Sequence, residues 1–220
     1  MEPLPKKNNF PMSHGVATEV FFGNTVANCG IIVIFATNFR KSMKQEFDKV
    51  KALNAMLYVA NRIGRKDFHK IFKILYFADR QHLADWGRPI TGDTYVAMDA
   101  GPVPSRIYDM LKIVRGDSYM NDTEGLGEFF KVEQWMYVNP LQDADLSKLS
   151  KTERDELDDA INRYGHMPYD EIKEISHDVA WQSTARDFAM KWEDIAREAG
   201  LDAEEIDYLR ECNQLQTSLN

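Results

Sequence analysis

The chain has 220 residues, of which 44% are hydrophobic and 28% are charged, a composition typical of a globular protein in water. No apolar run approaches the roughly 18–20 residues that a membrane-spanning helix needs. The two cysteines, Cys29 and Cys212, form no CxxC pair, so they indicate free thiols in a reducing cytoplasm and not a disulfide scaffold.

The formal net charge of −8 is distributed unevenly along the chain. Counting Lys, Arg, Asp and Glu, residues 1–42 carry +2, residues 43–115 carry +5 and residues 116–220 carry −15. Such an acidic half can steer a basic partner toward it. A solvated acidic surface that only maintains solubility explains the same counts, so both interpretations stay open.

The first 42 residues differ in pattern from the rest. They contain three prolines and one short β-branched run, Ile31 to Phe35, which is too short for a membrane span and a poor signal peptide. Two interpretations remain for residues 1–42: an extra strand or flexible arm, or an extension upstream of a true translation start at Met43. We favour the second, because helical patterning begins directly after Met43, and we expect residues 43–220 to form one domain.

Two helices are predicted next. From Phe47 the apolar spacing covers two faces of a helix, which we expect to be buried on most sides and to stop near Gly64. A second helix is predicted over residues 67–85, and the Trp86-Gly87-Arg88-Pro89 sequence ends it.

The middle of the chain predicts β-structure around one more helix. Residues 94–100 read as a short strand, residues 102–115 as a helix, and residues 129–138 as a hairpin between Gly127 and Pro140. The expected fold is therefore α+β and predominantly α-helical, with one small antiparallel sheet built from residues 94–100 and 128–138.

The acidic half is predicted to be helical. Ser150-Lys151-Thr152-Glu153 is a capping box before a helix that Gly165 ends, and residues 168–176 form a shorter helix. Trp192 to Glu211 has the spacing of a helix-turn-helix, but its second helix carries five acidic residues against Arg210. Phosphates would repel that helix. We therefore expect a helical hairpin that packs through Ile195, Leu201, Ile206 and Leu209.

The most specific part of the sequence is GRPITGDTYVAMDAGPVPSRIYDMLK, Gly87 to Lys112, followed later by SHDVAW, Ser176 to Trp181. Each concentrates Gly, Pro, Tyr or Trp, as a chain does where it fixes one backbone shape. The combination AxxxGPVxSxIYxxL with SHxxxW resembles the Panacea domain, the SocA-like antitoxin family that is also found as a phage-associated protein. The resemblance covers roughly residues 47–192.

The resemblance implies an antitoxin that binds and neutralises a cognate protein toxin encoded beside it. Two alternatives stay open. One is a proteolytic adaptor that delivers a toxin to a cellular protease, and the other is a transcriptional regulator that uses the C-terminal helical hairpin. We expect no nucleic-acid or membrane partner.

The candidate partner-binding residues lie in the two motifs. Gly101 and Pro102 are expected to form a turn that starts a helix, with Val103 facing inward. Asp99, Ser105, Arg106 and Tyr108 would then present a surface on this turn, although Tyr108 could instead face the core. His177 and Trp181, four residues apart, are expected on one helical face, with the histidine buried and hydrogen-bonded beside the tryptophan.

The sequence does not predict an enzyme. No phosphate-binding loop, nucleophile elbow or catalytic triad pattern is present. His177 has no further His, Cys or carboxylate at metal-ligand spacing, and His69 and His82 form no ligand pair. We therefore expect no cofactor, no metal and no catalytic residue.

Overall fold

A computed structural model describes residues 47–217 of the chain, with side chains through residue 214. The boundary predicted at Met43 and the segment 1–42 lie outside the described residues. Within the described part, eight α-helices and four short strands follow one another. The helices are α1 (Lys49–Arg62), α2 (Phe68–Trp86), α3 (Ser105–Arg115), α4 (Lys151–Tyr164), α5 (Tyr169–Ser176), α6 (Val179–Gln182), α7 (Trp192–Glu198) and α8 (Ala203–Thr217). The strands are β1 (Tyr95–Met98), β2 (Gly101–Pro104), β3 (Phe130–Glu133) and β4 (Tyr137–Pro140).

The mainly helical α+β fold predicted from the sequence is confirmed, but the predicted sheet is wrong in its pairing. β1 pairs with β2 and β3 pairs with β4, each as a separate antiparallel hairpin. The region near residues 94–100 and the region near 128–138 therefore do not form one sheet. Each strand has four residues, so each hairpin relies on the helices packed against it.

Helix α2 is the centre of the domain. It packs against α1, α4, α5, α7 and β2, and every residue from Lys70 to Asp79 is buried. Its predicted boundaries are confirmed, because the Asp67 side chain accepts from the Lys70 backbone N–H and Gly87 caps the helix in the left-handed region at φ 70°.

The helix predicted in the acidic half from its capping residues is confirmed. The Ser150–Glu153 capping box is present with both of its hydrogen bonds, and Gly165 is the C-cap of α4. The helical hairpin of α7 and α8 is also confirmed: Ile195, Ile206 and Leu209 are buried, and Leu201 packs against the core. No helix among residues 47–217 is long and apolar enough to cross a membrane.

Candidate functional site

The turn between β1 and β2 is the centre of the candidate site, because it lies within the most specific sequence motif. Met98 pairs with Gly101, so Asp99 and Ala100 form the turn. Three side chains from other elements bond to carbonyl oxygens of this segment. They are Trp181 Nε1 to Met98 at 3.0 Å, His69 Nε2 to Ala100 at 3.1 Å and Lys73 Nζ to Pro102 at 2.8 Å. The backbone of the turn is thus fixed from two sides, by α2 and by α6.

Gly101 is required where the turn meets the helices. Its φ of +96° lies in the region that L-residues avoid, and a Cβ there would stand 2.5 Å from Ser176 Oγ and 2.9 Å from Lys73 Cε. Ser176 is fully buried, and its hydroxyl donates to the Lys173 carbonyl oxygen. Gly101 therefore brings the first motif into direct contact with the start of the second.

The helix predicted to begin at Pro102 begins three residues later. Gly101 to Pro104 form β2, and α3 begins at Ser105 with Pro104 as its N-cap. Because Pro104 offers no capping side chain, the Asp93 carboxylate caps this helix from before β1, accepting from the Arg106 and Ile107 backbone N–H groups. The sequence interpretation of Pro102 as a residue of the first helical turn was therefore wrong.

The SHDVAW segment is a junction between two helices and not one helical face. Helix α5 ends at Ser176, His177 caps it, and Asp178 caps the four-residue α6 that contains Trp181. The His177 and Trp181 rings still stack, with centroids 3.7 Å apart and planes at 2°. His177 is half-buried, and its Nε2 has no hydrogen-bond partner within residues 47–217. The predicted proximity is confirmed, whereas the predicted single helix is wrong.

Asp178 is a residue of this motif whose role the sequence analysis missed. Its carboxylate accepts from the Trp181 backbone N–H at 3.0 Å, from Tyr76 Oη at 2.7 Å and from Arg80 at 2.9 Å. The side chain of Asp178 is 5% exposed, so this charge-assisted network ties the junction to the central helix α2. An aspartate directly before Val-Ala-Trp is a typical N-cap signal, so the start of a new helix at this point could have been predicted from the sequence.

The tip of the turn is exposed, in contrast to the side chains of His69, Lys73 and Trp181 that bond to its backbone. The Asp99 carboxylate pairs with Arg186 at 2.6 Å, and both side chains are largely exposed. The Ala97 backbone bonds to Asp187 and Phe188, so residues 187–188 run along the free edge of β1. Phe188 is 68% exposed, which places an aromatic ring in solvent beside the charged tip.

The remaining predicted residues do not join this tip. Val103 is buried, and Ser105 and Arg106 lie at the other end of β2, where α3 begins. Arg106 is exposed with its guanidinium over the Phe47 ring at 5.0 Å. Tyr108 is half-buried and packs edge-on against Phe72, with ring centroids 5.7 Å apart. The structure thus separates Asp99 from Arg106 and places Tyr108 in an aromatic cluster.

Two basic side chains under the turn have strongly lowered pKa values. Burial, and then the positive charge of Lys173, lowers the pKa of Lys73 to about 7. Burial, followed by the charge of Lys73, lowers the pKa of His69 to about 4. The His69 ring is therefore neutral at pH 7 and donates its Nε2–H to the Ala100 carbonyl oxygen. The sequence analysis missed Lys73, although a lysine inside an apolar helical run was a visible signal.

A cavity of about 360 Å³ opens beside these residues. Its wall is mostly apolar and includes Phe72, Met98, Val103 and Tyr108, together with His69 and Lys73. Within residues 47–217, no group of three or more His, Cys, Asp or Glu residues could hold a metal ion.

Comparison with known proteins places the chain in a family. The model of the family described as "Antitoxin SocA-like, Panacea domain" matches residues 71–182, about half of the chain. This range contains the turn, α2 from Ile71 onward and the Ser176–Trp181 junction. A search of curated proteins and a search of solved structures each find no match. By the family match, this chain belongs to the SocA-like antitoxins with a Panacea domain.

Proposed function

We propose that the protein neutralises a cognate protein toxin by binding it directly, and that the face around the β1–β2 turn is its contact surface. We define this turn face as Asp99, Arg186, Asp187 and Phe188. The observation that carries the proposal is that an exposed, charged and aromatic tip stands on a backbone held by Trp181, His69 and Lys73. The family supplies the antitoxin role.

A rigid turn suits this task for an energetic reason. Binding free energy is reduced by the ordering of loops and side chains, so a surface whose backbone is already fixed loses less conformational entropy on association. Aromatic and arginine side chains dominate the energy of protein interfaces, often by about 2 kcal/mol or more each. Phe188 and Arg186 have these side-chain types and are exposed in the unbound protein.

The proposal involves no catalytic step and a cytoplasmic site of action. The buried hydroxyl of Ser176 donates to a backbone carbonyl oxygen and not to a basic side chain, so it is not activated as a nucleophile. Neutralisation then requires only that toxin and antitoxin meet in the compartment where both are made.

The test is co-expression of each variant with the toxic product of the neighbouring gene. Phe188→Ala and Arg186→Ala should abolish protection and toxin pull-down while leaving the melting temperature nearly unchanged. Tyr119→Ala is the matched control, because Tyr119 is a fully exposed aromatic residue outside the turn face. Full protection by both turn-face variants would refute this surface.

The same co-expression separates direct neutralisation from delivery to a protease. Direct binding predicts that toxin abundance stays constant while growth recovers, and that purified proteins form a complex without a third component. Loss of the toxin that depends on a cellular protease would instead identify the protein as an adaptor.

A further inference from the structure

The cavity beside the turn has the shape and polarity of a ligand site. Its volume of about 360 Å³ lies at the lower end of the range of small-molecule pockets, roughly 300–1,000 Å³. The aromatic rings of Phe68, Phe72 and Tyr108 pack on one another at centroid distances of 5.6–5.9 Å and contribute to the wall. Such a wall favours binding of the apolar part of a ligand.

The polar part of the cavity has a net positive character. Arg65 and Asp67 also line it, but they pair with each other at 2.7 Å, which leaves Lys73 and His69. Lys73 and His69 are four residues apart on α2 and therefore lie on one face of the helix. Lys73 is 0% exposed, and its Nζ donates to the Pro102 carbonyl oxygen. Among residues 47–217, no carboxylate lies within ion-pair distance of this Nζ. An ammonium has three N–H donors, and the bond to the Pro102 carbonyl oxygen uses one of them. Lys73 can therefore donate further hydrogen bonds to a ligand.

Other buried charged side chains in the described part of the chain have two or more polar partners each. Lys70, also without an ion pair, donates to the Gly165 and Met167 carbonyl oxygens at 3.0 and 2.5 Å. Glu153, 1% exposed, binds Lys51 at 2.9 Å and Arg88 at 2.5 Å. Asp79 accepts from two backbone N–H groups and two hydroxyls. A buried ammonium with too few acceptors is costly. With one acceptor and no counter-charge, Lys73 is the least compensated buried charge among residues 47–217.

We propose that this cavity binds a small apolar monocarboxylate, whose carboxylate bonds to Lys73 and whose apolar body packs against Phe72 and Tyr108. The orphaned Nδ1 of His69 lies in the same wall, and an anion placed there favours its protonation. The occupant is a free acid of about ten non-hydrogen atoms, in line with the size of the cavity.

The ionisation of Lys73 gives the proposal a direct signature. Its pKa of about 7 results from burial and the charge of Lys173. A bound carboxylate would raise this pKa, because an adjacent negative charge favours the ammonium. At pH 8 the free protein holds Lys73 mostly neutral, so binding of the acid should take up about one proton.

The experiment is titration calorimetry on the full chain with 3-phenylpropionate at pH 8, in two buffers of different ionisation enthalpy. The matched control ligand is 3-phenylpropanamide, which has the same shape and no charge. We expect the acid to bind with proton uptake and at least tenfold more tightly than the amide. Equal binding of acid and amide, no binding at millimolar concentration, or binding without proton uptake would each overturn the proposal.

Two variants complete the test. Lys73→Met should lose acid binding. It removes a buried charge but also the hydrogen bond to the Pro102 carbonyl oxygen, so its folding is checked by thermal melting. Met136→Trp should block the cavity from its rim, where Met136 is 44% exposed and lines the opening. Undiminished acid binding by Met136→Trp would refute this cavity even if Lys73→Met failed to fold. These measurements use the protein alone, so their outcome is independent of toxin neutralisation.

Discussion

Ser176 Oγ lies 2.5 Å from the point where a Cβ on Gly101 would stand. This contact joins two segments that are distant in sequence, and it explains why a glycine in one motif accompanies a buried serine in the other. Any side chain at residue 101 would push α5 away from the turn and displace Lys73 as well. The turn and the helix junction therefore form one packed unit.

Gly101→Ala should destabilise the fold by about 2–5 kcal/mol, from left-handed strain and from overpacking together. The matched control is Gly116→Ala, because Gly116 also has a positive φ, +86°, but nothing lies within 4 Å of its added Cβ. That control should cost only about 1–2 kcal/mol. Chemical denaturation of both variants measures the difference, and equal losses would contradict the close contact.

Tyr108→Ala should lower stability by about 2 kcal/mol or more, because the ring packs against Phe68 and Phe72. Asp99→Ala and Arg106→Ala should leave the melting temperature nearly unchanged, since both side chains are exposed. Of these two, Asp99→Ala alone should reduce protection against the toxin, because Arg106 lies at the opposite end of the hairpin. Thermal melting and toxin rescue on the three variants provide the check, and full rescue by Asp99→Ala would weaken the turn-face proposal.

Glu153→Gln should destabilise the protein by about 3 kcal/mol at pH 7, because Lys51 and Arg88 lose their shared buried partner. Burial alone would raise the pKa of Glu153, but hydrogen bonds from Arg88, the Ser150 backbone and Lys51 lower it to about 2. The stabilisation is therefore complete above the usual glutamate pKa of about 4.5 and is lost as pH falls toward 2. Melting temperatures of wild type and variant should converge over that interval.

Glu156→Gln, one turn further along α4, is the matched control. Here we expect the substitution to stabilise the protein at high pH, where Glu153→Gln destabilises it. Burial and the neighbouring Asp85 and Asp159 carboxylates raise the pKa of Glu156 to about 7. Ionised Glu156 thus opposes folding, and the wild type loses stability as pH rises from about 4.5 through 7. The variant should be the more stable protein at pH 8 and lose this advantage in acid. A loss of stability at pH 8 would show that the carboxylates do not repel one another as the geometry indicates.

DNA binding should be negligible at physiological salt. The second helix of the helix-turn-helix-like segment, α8, exposes Glu204, Glu205, Asp207 and Glu211. Its one arginine, Arg210, pairs with Asp207 and Glu193, and Arg197 of the preceding helix pairs with Asp194. Both arginines of the segment are thus already paired with carboxylates and are less available to phosphate. A gel shift with the protein's own promoter provides the measurement, and nanomolar, salt-sensitive binding would identify a regulator.

Local sequence determined the long helices of this protein, whereas the start of α3 and the break between α5 and α6 were misread from it. Apolar periodicity and caps such as Asp67, Gly87 and the Ser150–Glu153 box act within a few residues, so the boundaries of α2 and α4 could be predicted closely. The family resemblance likewise rests on local motifs, and residues 71–182 confirm it.

Only the tertiary structure decided the pairing and the site. Pro102 is compatible with a first helical turn and with a hairpin strand, and the choice depended on Lys73 and Trp181 holding the carbonyl oxygens around it. His177 and Trp181 stack across a helix break that spacing alone reads as one helix. The buried, uncompensated charge of Lys73 arises from groups on α2, β2 and α5 that meet only on folding. Sequence periodicity reports which face of a helix is apolar, but it does not report which distant backbone packs against that face.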